Sequence, residues 1–429
     1  MQTEDKIRYA KFAMVFTAVL VFAILAGLLG IRASNGYDST SQGTTDTSGS
    51  SQDTSSDSAQ YQASESTQGT ASGASSATSP DTALQSTVPP LVIPTPWPTP
   101  APPLFPAGLS LLAAENQAEI APHLEAVIFN ARFLFTPTYE NSGQIVHPHV
   151  LFFEEKFMGF HYIMAMTPYP FSNNRYRNPS ILGSQDGVIW QVPEGTVNPV
   201  VDIPVDGGGY YSEPFIFCSG DTLELWFRHT LAVGEDGQRL PRNSHNRVYR
   251  SISNDLQSWS DLEIMLDCPD AMDHFMSKVV MYNNGTYRLW YTNFSSRLYF
   301  IQSHDLENWS VPERVRADLG GLGIWHHDIV FTGEQYEALL TGVDWGNSPE
   351  FRLFHTVSYT GLDLGVGREI IIQDISPELE AMTVHKSTFV KIDGVYQMYF
   401  AVFGLNNAWR LFYFEIAEEN LHMLFADTQ

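Results

Sequence analysis

Ser184-Gln-Asp-Gly-Val-Ile-Trp190 occurs in two further copies, Ser253-Asn-Asp-Leu-Gln-Ser-Trp259 and Ser303-His-Asp-Leu-Glu-Asn-Trp309, so the chain repeats the pattern Ser-x-Asp-x-x-x-Trp. Each copy follows a short run rich in β-branched and aromatic residues, which is typical of a strand. The Asp carboxylate can accept hydrogen bonds from the backbone of a turn, and the Trp ring offers a large apolar surface for packing. The repeat therefore predicts a turn that closes several copies of one β unit.

Pairs of short strands separated by turn residues surround these motifs. The turns are Ser219-Gly-Asp, Asn283-Asn-Gly, Thr332-Gly-Glu and Asp393-Gly, and each is flanked by apolar and aromatic residues. Such patterns indicate β-hairpins. With the pair around His149 and His161, the chain contains five units of roughly 50 to 65 residues with about four strands each, which is the signature of propeller blades. We therefore expect an all-β, five-bladed β-propeller over residues 107–429.

The N-terminal quarter has a different composition. Residues 12–31 carry no charge and are long enough to cross a bilayer as a helix. Lys6, Arg8 and Lys11 precede this stretch and only Arg32 closely follows it, which predicts that residues 1–11 are cytoplasmic. Residues 32–106 are first Ser/Thr-rich and then Pro-rich, as expected for a disordered stalk. The expected product is a single-pass protein of the cell membrane with its C-terminal domain outside.

The charge of the chain argues against nucleic acid as a partner. The formal net charge is -25, and residues 107–429 hold 40 acidic and 19 basic residues. Binding to nucleic acid relies on Lys and Arg side chains that neutralise phosphates, so this balance is unfavourable. The two cysteines, Cys218 and Cys268, either form one disulfide outside the cell or remain as buried thiols.

The five repeats, together with the run from Asn178 to Trp190, resemble the five-bladed glycosidase superfamily that includes glycoside hydrolase families 43 and 32. The resemblance covers roughly residues 145–416. It implies that the innermost strand of every blade lines a central funnel. The polar residues at the starts of these strands would then converge, and they are His147 and His149, Tyr211 and Glu213, Ser277 and Lys278, His326 with His327 and Asp328, and His385 with Lys386.

The resemblance implies chemistry at a pair of carboxylates, since glycoside hydrolysis needs one acid and one base or nucleophile. Glu213 and Asp328 are the best candidates, with Glu213 as the acid, and Asp270 and Asp273 are reserves. Family 43 enzymes carry Asp, Asp and Glu at the starts of blades one, two and three. This chain has histidines, Glu213 and Ser277 at the matching positions, so the family triad is not preserved.

The remaining candidates would bind substrate rather than react. They are His147, His149, His326, His327, His385 and Lys386 at the strand starts, and Trp325 and Trp345, which lie near turns and can stack on sugar rings. Trp226 and Trp290 sit mid-strand and are expected to fill gaps between blades. The spacing of the histidines is not a metal motif, so no metal or other cofactor is predicted, although a cation in the funnel is compatible with the family.

Two functions remain open from the sequence. As an enzyme, the protein would hydrolyse glycosidic bonds in an extracellular polysaccharide or oligosaccharide. As a degenerate glycosidase, it would bind carbohydrate in the same funnel without chemistry or act as an interaction scaffold. The carboxylate pair separates the two alternatives.

Overall fold

The computed structural model describes residues 128–426 except 205–207, 242, 270–273, 347–348 and 380–381. The predicted anchor, the stalk, the domain boundary at residue 107 and the reserve residues Asp270 and Asp273 lie outside the described residues. Across the part of the chain that is described, no helix combines the length and the hydrophobicity that a membrane span requires.

The described chain is built from 22 strands and short 3-10 turns. The strands are β1 (Ile128–Leu134), β2 (Ile145–Phe157), β3 (Phe160–Pro168), β4 (Ser180–Ser184), β5 (Trp190–Gln191), β6 (Gly209–Ser219), β7 (Thr222–Leu231), β8 (Asn246–Ser253), β9 (Glu263–Cys268), β10 (Met276–Asn283), β11 (Thr286–Thr292), β12 (Leu298–Ser303), β13 (Glu313–Arg314), β14 (Arg316–Asp318), β15 (Gly323–Phe331), β16 (Tyr336–Asp344), β17 (Glu350–Ser358), β18 (Asp363–Val366), β19 (Arg368–Ile370), β20 (Thr383–Ile392), β21 (Val395–Phe403) and β22 (Trp409–Ala417). The 3-10 turns are Pro170–Ser172, Asn174–Tyr176, Ile372–Asp374, Pro377–Leu379, Leu405–Asn407 and Glu418–Leu424.

Five four-stranded antiparallel sheets confirm the predicted five blades. Their orders are β2-β3-β4-β5, β6-β7-β8-β9, β10-β11-β12-β13, β15-β16-β17-β19 and β20-β21-β22-β1. We number these sheets blades one to five. The N-terminal strand β1 supplies the outermost strand of blade five by pairing with β22, for example Ile128 with Ile416, and so closes the ring. A small parallel pair, β14 with β18, links the outer edges of blades three and four.

The repeated motif forms the predicted turns. In the second copy, the Asp255 carboxylate accepts the backbone N–H groups of Gln257 and Ser258, at 2.9 and 2.7 Å, and the Ser253 hydroxyl accepts that of Leu256. The first and third copies repeat these contacts through Asp186 and Asp305. The motif thus stabilises the exit from the third strand of blades one, two and three.

Large aromatic side chains pack where neighbouring blades meet. Trp226 of blade two is fully buried and contacts Tyr287 and Trp309 of blade three. Trp290 of blade three contacts Tyr336 of blade four. This placement confirms the expected role of both tryptophans as filling between blades. Cys218 and Cys268 are not joined by a disulfide.

All five innermost strands depart from regular pairing at equivalent places near their starts. The register shifts lie at Val146/His149, Ser212/Phe215, Met276/Val279, Ile324/His326 and Val384/Ser387. His147, Glu213 and Ser277 adopt left-handed φ angles of 57°, 56° and 49° within these shifts. A β-bulge redirects the side chain that it carries, and bulges are frequent beside active sites. The irregular backbone of the innermost strands thus coincides with the polar residues of the funnel.

Candidate functional site

Three imidazole rings from three blades meet at the centre of the propeller. His147 comes from blade one, His326 from blade four and His385 from blade five. The ring centroid of His147 lies 5.3 Å from that of His326 and 5.2 Å from that of His385, and the centroids of His326 and His385 are 4.3 Å apart. One ring nitrogen of each lies within 4.8 Å of those of the other two. Residues far apart in sequence thus form one compact donor set.

The surroundings of the three rings favour their neutral form. Burial lowers the pKa values of His147 and His326 well below the ordinary value of 6.5, and neighbouring basic groups lower them further. Burial also lowers the pKa of His385, to about 3. Among the described residues, neither ring nitrogen of His326 nor Nδ1 of His385 has a hydrogen-bond partner. His326 and His385 therefore present ring nitrogens free of other partners in the neutral form in which histidine binds metals, and His147 would offer Nε2 in place of its contact with Arg177.

Both ring nitrogens of His147 have hydrogen-bond partners. Nε2 lies 3.4 Å from a guanidinium nitrogen of Arg177, which can only donate. Nε2 is therefore an acceptor, while Nδ1 lies 3.2 Å from the hydroxyl oxygen of Thr167 and 3.4 Å from the backbone nitrogen of Glu213, whose N–H points to it. The Thr167 hydroxyl in turn donates to the carbonyl oxygen of Val146. This chain of contacts orients the ring as outer-shell partners orient metal-binding histidines.

The donor set fits a divalent transition metal. Three neutral imidazoles are the protein ligands of one class of catalytic zinc site, which leaves a fourth position for water or substrate. The unpartnered nitrogens of His326 and His385 are buried donors without another use in the described chain. Sequence spacing did not reveal this set because each ligand comes from a different blade.

A second level of contacts lies two residues further along the same strands. His149 Nε2 is 3.8 Å from Asp328 Oδ1, and His149 Nδ1 accepts the backbone N–H of Ile216. Two-residue alternation predicts that His147 and His149 share one face of β2, and that His326 and Asp328 share one face of β15. The side chain of His327 lies between blades three and four, where its Nδ1 contacts the Thr292 hydroxyl at 3.1 Å.

The two predicted catalytic carboxylates have opposite environments. Glu213 is 2% exposed, pairs with Arg228 at 2.9 Å and accepts the backbone N–H of Ser277 at 2.8 Å. Burial acts to raise the pKa of Glu213, but Arg228 and Lys278 outweigh it, and the pKa is lowered. The pKa of Asp328 is raised by burial, although the Lys386 charge and the Thr388 hydroxyl oppose the rise. These shifts favour Asp328 as the acid and keep Glu213 ionised, whereas the sequence predicted Glu213 as the acid.

Two buried basic side chains complete the floor of the funnel. Lys386 follows His385, is fully buried, and its Nζ has no hydrogen-bond partner. Lys278 is also fully buried, and its Nζ donates to the backbone carbonyl of Glu213 at 2.7 Å. Burial lowers the pKa of both amines.

Aromatic rings border the histidine cluster. The ring centroid of Trp325 lies 5.2 Å from that of His326 and 4.9 Å from that of Trp345. Trp345 is 46% exposed, and its indole N–H donates to the Ser296 hydroxyl. On the other side, Trp409 lies 5.1 Å from His385. Such rings suit stacking on sugar faces; of the predicted pair, Trp325 contacts His326 and His385, and Trp345 contacts Trp325. We call Trp325, Trp345 and Trp409 the aromatic wall.

A separate cavity of about 650 Å³ lies beside this wall. It is lined by residues of blades three and four and of the β14–β18 pair, including Ser296, Ile324 and the basic Arg297, Arg314 and Arg316. Ser296 is shared with Trp345, so the cavity adjoins the outer end of the aromatic wall. Its volume is in the range of small-ligand sites.

Comparison with known proteins gives the same fold. No family model matches the chain. The chain is 24% identical over 315 residues to the A type blood N-acetyl-α-D-galactosamine deacetylase of Flavonifractor plautii, an alignment that covers 61% of this chain and 39% of that protein. The chain therefore spans about two fifths of the length of this curated relative.

Solved structures agree. The crystal structure of an N-acetylgalactosamine deacetylase from F. plautii in complex with blood group B trisaccharide matches with a TM-score of 0.58 and 19% identity, covering 70% of this chain and 98% of that one. An exo-1,5-α-L-arabinanase from a bovine ruminal metagenomic library matches with a TM-score of 0.44 and 13% identity, covering 63% and 92%. The chain is a five-bladed propeller that resembles glycan-acting enzymes. The predicted resemblance is confirmed at the level of the fold.

Sequence reasoning missed three residues around the histidine cluster, namely Arg177, Trp409 and Tyr210, whose ring contacts the Arg177 guanidinium. Arg177 follows a 3-10 turn between β3 and β4, Tyr210 stands near the start of β6, and Trp409 begins β22. The innermost-strand argument selects only strand starts at the funnel, so it passes over Arg177 and Trp409. Their role is visible only from their contacts with His147 and His385.

Proposed function

We propose that this domain is a carbohydrate-active hydrolase that removes an acetyl group from an N-acetylated sugar of an extracellular glycan. The observation that carries the proposal is the set of three converging imidazoles beside an aromatic wall, two of which, His326 and His385, have unpartnered ring nitrogens among the described residues. The similarity to a protein named as an N-acetylgalactosamine deacetylase supports the acetyl group as the target. The substrate would bind with its sugar ring against the wall and its acetyl group toward the imidazoles.

His147, His326 and His385 are the residues that would hold a divalent cation. When bound there, such a cation supplies Lewis-acid polarisation of the acetyl carbonyl and a water of lowered pKa. Overall, water oxygen bonds to the acetyl carbon, the carbon–nitrogen bond breaks, acetate leaves, and a proton is transferred to the amine nitrogen. We assign the proton transfer to Asp328, whose Oδ1 has no hydrogen-bond donor and whose pKa is raised by burial toward the range that suits a general base or acid.

Glycosidic hydrolysis is the second candidate function. It rests on the carboxylate pair Glu213 and Asp328, of which Asp328 has the raised pKa that an acid catalyst needs. In this version Asp328 acts as the acid and Glu213, held ionised by Arg228, stabilises developing positive charge. The same aromatic wall would hold the sugar on either side of the bond.

One experiment separates the two functions. The purified protein is incubated with neutral oligosaccharides that contain N-acetylgalactosamine or N-acetylglucosamine, and free acetate and new reducing ends are measured in parallel. Acetate release without new reducing ends is the expected result, and it should be lost in His326→Ala and kept in Arg132→Gln, an exposed substitution on β1. New reducing ends without acetate would establish the second candidate. If neither product is formed, the protein binds glycan without turning it over.

Metal dependence is tested without activity as the readout. Protein treated with a chelator is titrated with Zn²⁺ or Mn²⁺, and bound metal and thermal stability are measured. One equivalent should bind and raise the melting temperature, and His326→Ala should abolish both effects. Equal metal uptake by the variant would show that the three histidines are not the ligands.

The location of the protein is a further part of this proposal. We propose that residues 12–31 anchor the chain in the cell membrane, with residues 1–11 in the cytoplasm, residues 32–106 as a stalk and the propeller outside. The uncharged stretch and its basic flank support this topology. Protease added to intact cells should release the propeller by cutting between residues 34 and 86, and mature protein that begins near residue 34 would contradict the anchor.

A further inference from the structure

Arg177 occupies an unusual position for a buried arginine. Its guanidinium lies between the rings of Tyr169 and Tyr210, 4.9 and 5.0 Å from their centroids, and the residue is only 9% exposed. It contacts Asn174 Oδ1 at 3.3 Å and His147 Nε2 at 3.4 Å, and its Nε has no partner. The side chain is fixed next to the histidine cluster by aromatic and neutral contacts alone.

The charges around the funnel are unequally paired. The funnel contains four buried basic side chains but only two buried carboxylates. The basic residues are Arg177, Arg228, Lys278 and Lys386, and the carboxylates are Glu213 and Asp328. Arg228 and Lys278 both contact Glu213, through its carboxylate and its backbone carbonyl. Asp328 is engaged by the Thr388 hydroxyl and the Phe389 backbone N–H, with His149 nearby. Among the described residues, no carboxylate oxygen lies within 4.0 Å of Arg177 or Lys386.

Unpaired buried cations are costly, because desolvation is offset only when an opposite charge and hydrogen bonds replace water. Arginine does not escape this cost by losing its proton. Arg177 contacts His147, Lys386 adjoins His385 in β20, and these two rings are 5.2 Å apart. The charges of Arg177 and Lys386 both lower the pKa of His147, so both basic groups lie near this ring.

We propose that Arg177 and Lys386 form an anion subsite beside the three imidazoles, and that its ligand is a carboxylate or a carboxylate-like oxyanion. The planar guanidinium fork matches two carboxylate oxygens, and an ammonium adds a point charge. The inference rests on the proposed function for the origin of the anion. Its source is either the acetyl group, as oxyanion and then acetate, or the carboxylate of an acidic sugar in the substrate.

Direct binding to the whole protein tests the subsite without turnover. Sodium acetate, sodium glucuronate, and the neutral analogues acetamide and glucose are titrated while the fluorescence of Trp325 and Trp409, which contact His385, is recorded. The parent should bind at least one anion in preference to its neutral analogue. Arg177→Gln should weaken that binding about tenfold or more, and Arg177→Lys should weaken it less, since it keeps the charge and loses the fork.

The matched control is Arg132→Gln, which removes an exposed arginine from β1 and should leave anion affinity unchanged. Should Arg177→Gln fail to fold, Lys386→Met on another blade measures the same loss. Binding of acetate but not glucuronate assigns the anion to the acetyl group, and the reverse assigns it to an acidic sugar. Absence of anion binding by the parent, or equal affinity in a folded Arg177→Gln, overturns the subsite.

These outcomes are independent of the proposed function. A parent that binds acetate through Arg177 but releases none from any glycan retains the subsite and loses the deacetylase proposal. A parent that releases acetate, with anion affinity unaffected by Arg177→Gln and Lys386→Met, retains the deacetylase proposal and loses the subsite.

Discussion

Glu213→Gln distinguishes a charge-pairing role from a catalytic one. In the folded protein Glu213 Oε1 accepts from Arg228 at 2.9 Å and Oε2 from the Ser277 backbone at 2.8 Å, and both residues of the ion pair are buried. Glutamine has a similar shape, but its amide leaves the guanidinium of Arg228 without a counter-charge. Breaking a buried ion pair on one side costs about 3 to 5 kcal/mol. We therefore expect the free energy of unfolding to fall by about that amount.

Urea unfolding of parent and variant, followed by tryptophan fluorescence, measures this loss, and turnover is assayed on the same samples. The control is the double variant Glu213→Gln/Arg228→Met, which removes both charges and should recover part of the lost stability, because no buried charge is left unpaired. A single variant as stable as the parent but without turnover would refute the pairing role. It would restore Glu213 to the part of acid catalyst that the sequence suggested.

Three further changes have predictable results. Because burial raises the pKa of Asp328 above its ordinary value of 3.8, its stabilising contribution is present below that pH and is lost as pH rises through the folded-state pKa. Asp328→Asn should therefore gain stability relative to the parent as pH rises above about 4, and an unfolding difference independent of pH would contradict this. Glu337 accepts from His355, Lys391 and Tyr396, and its pKa is lowered from 4.5 to about 2, so its contribution is present above pH 4.5 and is lost as pH falls toward 2. Glu337→Gln should lower the free energy of unfolding near neutral pH by about 3 kcal/mol, measured in urea, and a parent-like value would show that the network adds nothing. Trp345→Ala should weaken glycan binding about fivefold to tenfold by loss of a stacking ring while leaving the melting temperature nearly unchanged, and equal affinity in a calorimetric titration would remove Trp345 from the aromatic wall.

The sequence was informative about the fold because propeller blades repeat local signals. The Ser-x-Asp-x-x-x-Trp turns are formed by contacts within a few residues, and the hairpin turn at Asn284 and Gly285 uses two consecutive left-handed φ angles that these residues tolerate. Such features can be recognised without knowledge of distant contacts. The closing strand β1 could not be recognised in this way, since it pairs only with a strand from the other end of the domain.

The histidines and carboxylates of the site were predictable from the sequence, but Arg177, Trp409 and the arrangement of the residues were not. Polar residues at the innermost strand starts indicated a funnel, and His147, His326 and His385 are among them. Their convergence depends on bulges whose position is set by tertiary structure. The pKa values of Glu213 and Asp328 depend on Arg228 and on burial, neither of which is visible as a sequence pattern.

The pairing of β1 with β22 also bears on how the protein is made. During synthesis, the inner strands of blade five and the four preceding blades emerge before the partner of Ile128 exists, because Ile416 lies near the end of the domain. Contacts between such distant segments form slowly, since the whole intervening loop must be closed first. Until then β22 presents an open edge to which the strand of another chain can add. Chaperones that shield exposed strands would be needed for longest at this last blade, and truncation after blade four would yield an arc with unsealed ends rather than a smaller ring.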